Sequence, residues 1–197
     1  GLVNTKPSLL LEPQSTNLVT YSEDFSNAYW TKSSASITSD STTSPDGTLN
    51  ADKLVEDTST GVHQLSKTMT TISATDYAYS IFVKAGERSF LRLSRAGGST
   101  AVAFDLINKT VTNGGSGTGI ITELTNGWFK CSFMFPTVGT STDIRVELQI
   151  VLSASSSPYT GDGVSGVYIW GAMLEQLSYA TSYIPTNGST QTRAAET

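Results

Sequence analysis

The chain has 197 residues, a formal net charge of −5, one cysteine and one histidine. A single cysteine excludes an internal disulfide, and a single histidine excludes a Cys/His metal cluster. The acidic balance, without a run of Lys and Arg, argues against a nucleic-acid partner, and no stretch reaches the ~18 continuous apolar residues of a membrane-spanning helix.

Strand-like segments follow one another along a chain that is rich in Gly, Ser and Thr. The alternation is clearest in "DIRVELQIVL" at 143–152 and in "WFKCSFMF" at 128–135, where one side of each segment is apolar. In chain order the predicted strands are 63–70, 77–84, 89–95, 101–106, 109–112, 119–124, 128–135, 143–152 and 167–174. A sheet with one apolar face must pack it against another, so we expect an all-β antiparallel β-sandwich of the jelly-roll type with about nine or ten strands.

The whole chain, 1–197, is predicted to form a single β-sandwich module with a lead-in segment at 1–16 and a C-terminal tail at 180–197. Gly1 is not an initiator methionine, so we expect the module to come from a longer protein. Pro185 lacks a backbone N–H and cannot extend the strand at 167–174. We expect the tail to fold back over the sandwich through Tyr183 and Ile184.

The sequence lacks the residue patterns that catalysis on such a scaffold requires. Retaining glycoside hydrolysis needs two carboxyl groups about 5–5.5 Å apart, and the Glu-x-Asp-x-x-Glu strand that supplies them in β-sandwich glucanases is absent. A nucleophilic triad would depend on His63, but there is no G-x-S-x-G nucleophile elbow. We therefore expect a protein that is not an enzyme.

Sugar binding requires aromatic rings for the apolar face of a pyranose and polar side chains for its hydroxyl groups. If the strands at 89–95, 128–135, 143–152 and 167–174 share one sheet, their non-core side chains form a candidate glycan site. Its members are Arg92, Trp128, Lys130, Arg145, Glu147, Gln149, Tyr168 and Trp170. Trp128 is the candidate for the exposed ring, whereas Trp170 lies on a strand with two apolar faces and is expected to be buried.

Two long stretches carry a resemblance to a known family. They are "TNLVTYSEDFSNAYWTKSSASITSDSTTSPDGTLNADKLVED" at 16–57 and "VYIWGAMLEQLSYATSYIPTNGSTQTRAAE" at 167–196. Both resemble a jelly-roll module of tailed-phage tail-fibre and virion proteins, which is similar to carbohydrate-binding modules of the CBM4/9-like type. The resemblance implies a non-catalytic module with a surface polysaccharide or glycan as ligand, and no particular sugar.

The resemblance also implies a structural calcium ion, because carbohydrate-binding jelly rolls often hold one near the N-terminal segment and the last strand. Glu23, Asp24 and Glu175 are the oxygen donors that such a site would use. The alternative is that these acidic residues are simply solvated. No other cofactor is expected.

Three functions remain open at this point. The leading one is host-surface or carbohydrate recognition by a module of a phage virion, located in the tail and otherwise extracellular. The second is a purely structural module that docks on other virion subunits, and the third is an accessory domain of a bacterial polysaccharide-degrading enzyme. Because tail-fibre proteins are usually trimeric, the first two predict a homotrimeric parent protein.

Overall fold

The structure is a computed structural model that describes residues 11–70, 75–95, 100–136 and 143–196. Apart from a short 3-10 turn at Thr125–Gly127, the regular structure of these residues is all β. The strands are β1 (Ser15–Asn17), β2 (Thr31–Ser33), β3 (Ala35–Thr43), β4 (Leu49–Glu56), β5 (Thr60–Gly61), β6 (Gln64–Thr70), β7 (Asp76–Ala85), β8 (Phe90–Arg95), β9 (Thr100–Asp105), β10 (Thr110–Gly114), β11 (Thr118–Glu123), β12 (Trp128–Pro136), β13 (Asp143–Val151), β14 (Tyr159–Thr160), β15 (Gly166–Glu175) and β16 (Gln191–Arg193).

Two six-stranded antiparallel sheets form a sandwich. The first sheet has the order β10-β9-β8-β13-β6-β2, and the second has the order β11-β12-β7-β15-β4-β3. Two short pairs, β1 with β16 and β5 with β14, lie outside these sheets. The predicted fold class, an antiparallel β-sandwich of the jelly-roll type, is confirmed.

The core lies between the sheets and follows the predicted alternation. In β13, Ile144, Val146, Leu148 and Ile150 are buried in it, and β12 contributes Phe129, Cys131, Phe133 and Phe135 from the other side. Burial raises the pKa of the Cys131 thiol, so this cysteine is an inert part of the packing. Each fully buried large apolar side chain contributes about 1.5–3 kcal/mol of transfer free energy.

The strands β3 and β4 are missing from the strands that alternation predicts, although they belong to the second sheet. β3 is one of the two edge strands of this sheet, and none of the side chains in this Ser/Thr-rich segment is fully buried. An edge strand with little apolar contact does not need the alternation that reveals a strand in a sequence.

The C-terminal tail returns across the outer side of the second sheet. Tyr183 packs against an aromatic cluster there, Ile184 is buried, and the Ile184 carbonyl accepts a hydrogen bond from Asn17 Nδ2 at 2.8 Å. The expectation that the tail folds back through Tyr183 and Ile184 is confirmed. In the described ranges there is also no helix with the length and apolar character needed to span a bilayer.

Candidate functional site

The residues predicted to share one glycan-binding face lie on two different sheets. Strands β8 and β13 are neighbours in the first sheet, whereas β12 and β15 belong to the second. The proposed common face is therefore wrong. Alternation along a strand predicts which residues point away from the core, but it does not identify the sheet that the strand joins.

The group on the second sheet consists of Trp128, Lys130, Tyr168 and Trp170, and its tryptophans are buried. Trp128 is 1% exposed and donates a hydrogen bond from Nε1 to the Thr43 carbonyl at 3.0 Å, so its prediction as the exposed ring is wrong. Trp170 is 5% exposed, which confirms the expected burial. The rings of Trp170 and Tyr183 have centroids 4.7 Å apart, because the tail covers this face.

The two remaining members of this group also serve packing. Lys130 Nζ donates a hydrogen bond to the Thr181 carbonyl at 2.5 Å and so holds the tail. Burial lowers the pKa of Lys130, against the opposing charges of Glu175 and Glu12. Tyr168 is half-buried, with Lys53 Nζ at 5.9 Å from its ring centroid. The tail thus occupies the surface on which a sugar would have to stack.

The group on the first sheet forms a continuous polar network, which we call the polar face. Its members are Gln64, Arg92, Ser94, Arg145, Glu147 and Gln149, which come from the adjacent strands β6, β13 and β8. Arg92 Nε donates to Gln149 Oε1 at 2.9 Å, and Gln149 Nε2 donates to Glu147 Oε2 at 2.8 Å. Arg145 Nε donates to Glu147 Oε1 at 2.7 Å, which closes a chain of hydrogen bonds from one arginine to the other.

The middle of this network is buried and its ends are accessible. Glu147 is 4% exposed, whereas the side chain of Arg145 is 44% exposed. Ser94 Oγ donates to Glu147 Oε2 at 2.7 Å, so the buried carboxylate has a full set of donors. Each guanidinium uses only Nε and Nη2 in the network and makes no other hydrogen bond to the described residues. The N–H groups on Nη1 of both arginines have no acceptor among the described residues.

Phe90 lies at one end of the polar face and escaped prediction. Leu91 and Leu93 of β8 are in the core, so Phe90 alternates onto the same outer side as Arg92. It is half-buried and sits between Val151 of β13 and Asp105 of β9. The period of two in "SFLRLSR" predicts this position once Arg92 is assigned to the outer face. The polar face therefore has one aromatic ring beside it.

The three carboxylates predicted for calcium are engaged by protein groups. Glu175 is fully buried and accepts hydrogen bonds from Ser15 Oγ at 2.6 Å and from the Thr181 N–H at 3.0 Å. Asp24 accepts hydrogen bonds from Ser26 Oγ at 2.6 Å and from the Asn27 N–H at 3.0 Å. Over the ranges that the structure covers, no cluster of three or more His, Cys, Asp or Glu side chains is arranged to hold a metal ion. A calcium site at these carboxylates stays a prediction, without a preformed ligand cluster.

Glu23 and Asp24 do share a different feature, a surface cavity of about 410 Å³ that we call the acidic pocket. Its lining residues are Tyr21, Glu23, Asp24, Ser26, Ser39, Asp40, Asn50, Asp52, Thr186 and Asn187. The pocket lies beside the turn before β2, next to β3 and β4 and to the start of the last tail segment. It is separate from the polar face, which is built from the first sheet.

Similar folds occur among solved structures, although no protein-family model and no curated protein matches the sequence. The enzymatically active domain of bacteriophage CBA120 tailspike protein 4 gives a TM-score of 0.48 at 11% identity, over 80% of this chain and 21% of the other. TmCBM61, solved with β-1,4-galactotriose, gives 0.45 at 10% identity over 82% and 99% of the two chains. The CBM22-1 and GH10 modules of Clostridium thermocellum xylanase 10B, solved with xylohexaose, give 0.47 at 14% identity over 88% and 30%.

The chain thus spans about a fifth of the tailspike chain, under a third of the xylanase chain and nearly all of TmCBM61. Identities of 10–14% with TM-scores below 0.5 carry no argument about function, so the function has to be inferred from the side chains of this chain.

Proposed function

We propose that the chain is a non-catalytic carbohydrate-binding module and that its glycan lies across the polar face. The observation that carries the proposal is the hydrogen-bonded series Arg92, Gln149, Glu147, Arg145, with its buried centre and accessible ends. Sugar hydroxyl groups need donors and acceptors in fixed directions, and two guanidinium groups supply such donors.

The network prepares these donors before a ligand arrives. Gln149 is held from both sides. Its Oε1 accepts a hydrogen bond from Arg92, and its Nε2 donates one to Gln64 Oε1 at 3.2 Å. Side chains that are already immobilised lose little conformational entropy on binding. Phe90 supplies the apolar partner for the C–H face of a pyranose.

The same contacts argue against catalysis at this face. Glu147 accepts hydrogen bonds from Arg145, Ser94 and Gln149, so it is committed as an acceptor and is poorly placed to exchange a proton with substrate. His63, the sole histidine, is buried, and its two ring nitrogens lie 2.6 Å from the Ser34 carbonyl and 3.1 Å from the Tyr159 carbonyl. Neither nitrogen is available to a nucleophile.

The biological setting is proposed from the sequence resemblance alone. We infer a module of a phage tail fibre or related virion protein, homotrimeric in its parent and in contact with other virion subunits. An accessory module of a bacterial polysaccharide-degrading enzyme is the alternative setting for the same binding function. A purely structural module of the particle is the alternative function, and it requires no glycan.

A glycan array with the purified protein and three variants tests the proposal. We expect binding to a surface polysaccharide, and we expect Arg92→Ala and Phe90→Ala each to weaken it about tenfold, because each removes a ligand contact worth about 1.4 kcal/mol. Lys109→Ala is the matched control, since Lys109 is an exposed cation paired with Glu123 at 2.8 Å and lies outside the polar face.

Two results would contradict the proposal. One is a folded protein that retains no glycan on the array, which favours the structural module. The other is a loss of binding in Lys109→Ala as large as in Arg92→Ala, which would indicate non-specific electrostatic adsorption. Light scattering on the same sample gives the oligomeric state and tests the trimer separately.

A further inference from the structure

Arg92 carries a positive charge that no carboxylate of the described structure balances. Its side chain is half-buried, and its Nε and Nη2 both donate to Gln149 Oε1, at 2.9 and 2.5 Å. This acceptor belongs to a neutral amide, and Arg92 takes part in none of the ion pairs between described residues. A charge that is partly removed from water is costly without a partner, so an anion beside Arg92 would offset this cost.

The two carboxylates at diagonal positions of the sheet are committed to other groups. Asp105 accepts hydrogen bonds from the Asn108 N–H at 3.0 Å and from Asn108 Nδ2 at 2.7 Å. Burial acts to raise the pKa of Asp105, but the hydrogen bonds of this turn hold it below its ordinary value. Glu147 accepts from Arg145, which balances its charge. The guanidinium of Arg92 is therefore the uncompensated cation of the polar face.

The free part of this guanidinium has the geometry that recognises a carboxylate. Arg92 spends one N–H on Nε and one on Nη2 for Gln149. The remaining pair, one N–H on Nη1 and the second on Nη2, has no acceptor in the ranges that the structure covers. Two such donors in one plane match the two oxygens of a carboxylate. Gln149 is itself held by Gln64 and Glu147, so the orientation of Arg92 is set before a ligand binds.

The neighbours of Arg92 on the same face suit a sugar ring. Phe90 lies two residues earlier on the same side of β8, which is roughly 7 Å along the strand. On the other side, the small Ala103 of β9 lies opposite Arg92, and Thr112 of β10 lies opposite Ala103. Thr112 is exposed, so its hydroxyl is accessible. An aromatic ring, a free guanidinium edge and a hydroxyl thus occupy neighbouring positions of three adjacent strands.

We propose that the polar face binds an acidic polysaccharide and that Arg92 holds the carboxylate of a uronic acid residue through its free Nη1 and Nη2 N–H groups. Phe90 contacts the C–H face of that residue, and Thr112 hydrogen-bonds one of its hydroxyl groups. Arg145 serves as a donor to hydroxyl groups farther along the chain of sugars, because Glu147 already balances its charge. The inference rests on the proposed glycan binding at the polar face and adds the chemical class of the ligand.

A glycan array with matched acidic and neutral polysaccharides tests the ligand class. It carries polygalacturonate, alginate and hyaluronate, the carboxyl-reduced form of each, and neutral glucan, galactan and xylan. Carboxyl reduction turns each carboxylate into a hydroxymethyl group and keeps the sugar backbone. We expect the protein to bind an acidic polysaccharide at least about tenfold more tightly than its carboxyl-reduced form. Dextran sulfate, an anionic polymer without carboxylates, should bind at least about tenfold more weakly than that acidic polysaccharide.

The ratio of these two affinities separates recognition from a structural role of Arg92. Arg92→Gln should bring the ratio between the acidic form and its carboxyl-reduced form from at least about tenfold to near unity. If Arg92 only supported the fold, both forms would bind more weakly by the same factor and the ratio would stay. Lys109→Gln is the matched control, because it removes the same charge from an exposed residue outside the polar face and should leave the ratio unchanged.

A second pair of variants leaves Arg92 and its contacts in place. Thr112 is exposed, so replacing it should not disturb the core. Thr112→Glu adds a carboxylate beside the site and should weaken the acidic polysaccharide at least about threefold more than Thr112→Gln does, because like charges repel. The carboxyl-reduced form should not distinguish the two variants.

The outcomes that would overturn the inference differ from those that would overturn the proposed function. If the protein binds a neutral or carboxyl-reduced polysaccharide as tightly as any acidic one, the ligand class is wrong and glycan binding at the polar face stands. If dextran sulfate binds as tightly as the acidic polysaccharides, or if Lys109→Gln lowers the ratio as much as Arg92→Gln, the effect is a general attraction of anions. A folded protein that retains no polysaccharide overturns both.

Discussion

Glu56 is a buried carboxylate that is held by four donors. Arg88 donates from Nε to Glu56 Oε2 at 2.9 Å and from Nη2 to Oε1 at 2.5 Å. The Tyr159 hydroxyl donates to Oε2 at 2.5 Å, and the Asp162 N–H donates to Oε1 at 3.0 Å. Desolvation by burial raises the pKa of Glu56, but the hydrogen bonds of Arg88, Tyr159 and Asp162 outweigh it, so the pKa lies below its ordinary value.

Replacing Arg88 by methionine should destabilise the protein strongly. The change leaves the Glu56 charge buried without its cation, which costs about 3–5 kcal/mol in the free energy of unfolding. Urea denaturation at pH 7 measures it. Lys53→Met is the control, because the Lys53–Glu87 pair at 2.7 Å has an exposed carboxylate and should contribute below about 1 kcal/mol. Equal effects of the two changes would show that burial does not matter here.

The same residue predicts a pH dependence. A carboxyl group with a depressed pKa in the folded state stabilises the fold above its unfolded-state pKa, and this stabilisation is lost as the pH falls through the folded-state value. The difference in stability between the wild type and Arg88→Met should therefore narrow below about pH 4. If the difference in the free energy of unfolding between the wild type and Arg88→Met stays constant from pH 7 to pH 3, it does not arise from the charge of Glu56.

The burial of a side chain could be predicted from the sequence where it depends only on the alternation of its own strand. Phe129 and Ile144 are in the core, as the alternation of β12 and β13 predicts. Trp128 is different, because its burial depends on other parts of the chain, including the Thr43 carbonyl that accepts its Nε1 hydrogen bond. Exposure on an outer face cannot be deduced from the strand alone.

At the level of elements, β15 changes phase in the middle. Val167 and Ile169 face the core before a β-bulge, and Ala172 and Leu174 face it afterwards. Gly171, with a φ of 63°, is the extra residue. A strict period of two places Met173 on the side of Ile169, which is wrong, because the register pairs Met173 with Ser80 and Trp170 with Phe82 on one face.

Replacing Gly171 by alanine should test the bulge. An L residue at this φ is strained by about 1–2 kcal/mol, and its Cβ would lie 2.9 Å from Phe82 Cδ2. Gly47→Ala is the matched control, since Gly47 has a φ of 91° and a Cβ added there would have no neighbouring atom within 4 Å. We expect Gly171→Ala to lower the melting temperature more than Gly47→Ala does. Equal decreases in melting temperature would mean that the Phe82 ring moves away from the added Cβ at no cost in stability.

At the level of the whole molecule, the tail completes the packing of the second sheet. Tyr183 contacts Trp170 and Phe82, and its hydroxyl lies 2.6 Å from Ser22 Oγ and donates to Glu23 Oε1 at 2.9 Å. One side chain therefore joins the aromatic cluster of the outer face to the wall of the acidic pocket. The tail therefore covers the outer face of the second sheet as a thin third layer.

Tyr183→Ala should uncover that layer. We expect a loss of about 2–4 kcal/mol in the free energy of unfolding and a red shift of tryptophan fluorescence as water reaches Trp170. Tyr179→Ala serves as the control, because Tyr179 is 48% exposed and should change neither quantity. An unchanged emission maximum in Tyr183→Ala would show that Trp170 is shielded by other groups.

For the whole molecule, the sequence predicts what depends on local alternation and fails to predict what depends on strand order and long-range contacts. The fold class follows from local alternation, and the central strands lie close to their expected bounds, as for 143–152 against Asp143–Val151. The candidate site depends on strand order, which joins Arg92 to Gln149 and separates both from Trp170. The acidic pocket brings together Glu23, Asp52 and Thr186, and such long-range contacts leave no periodic signal in the sequence.

The pairing of β1 with β16 has a mechanical consequence. Ser15 lies opposite Arg193 and Asn17 opposite Gln191, in an antiparallel pair outside the two large sheets. Tension applied at residues 14 and 194 therefore acts across this pair and loads its hydrogen bonds one after another, in the manner of a zipper. When the chain is stretched from these two residues, the first unfolding event should be the separation of β1 from β16 at low force. The two sheets and the polar face should stay folded in that event.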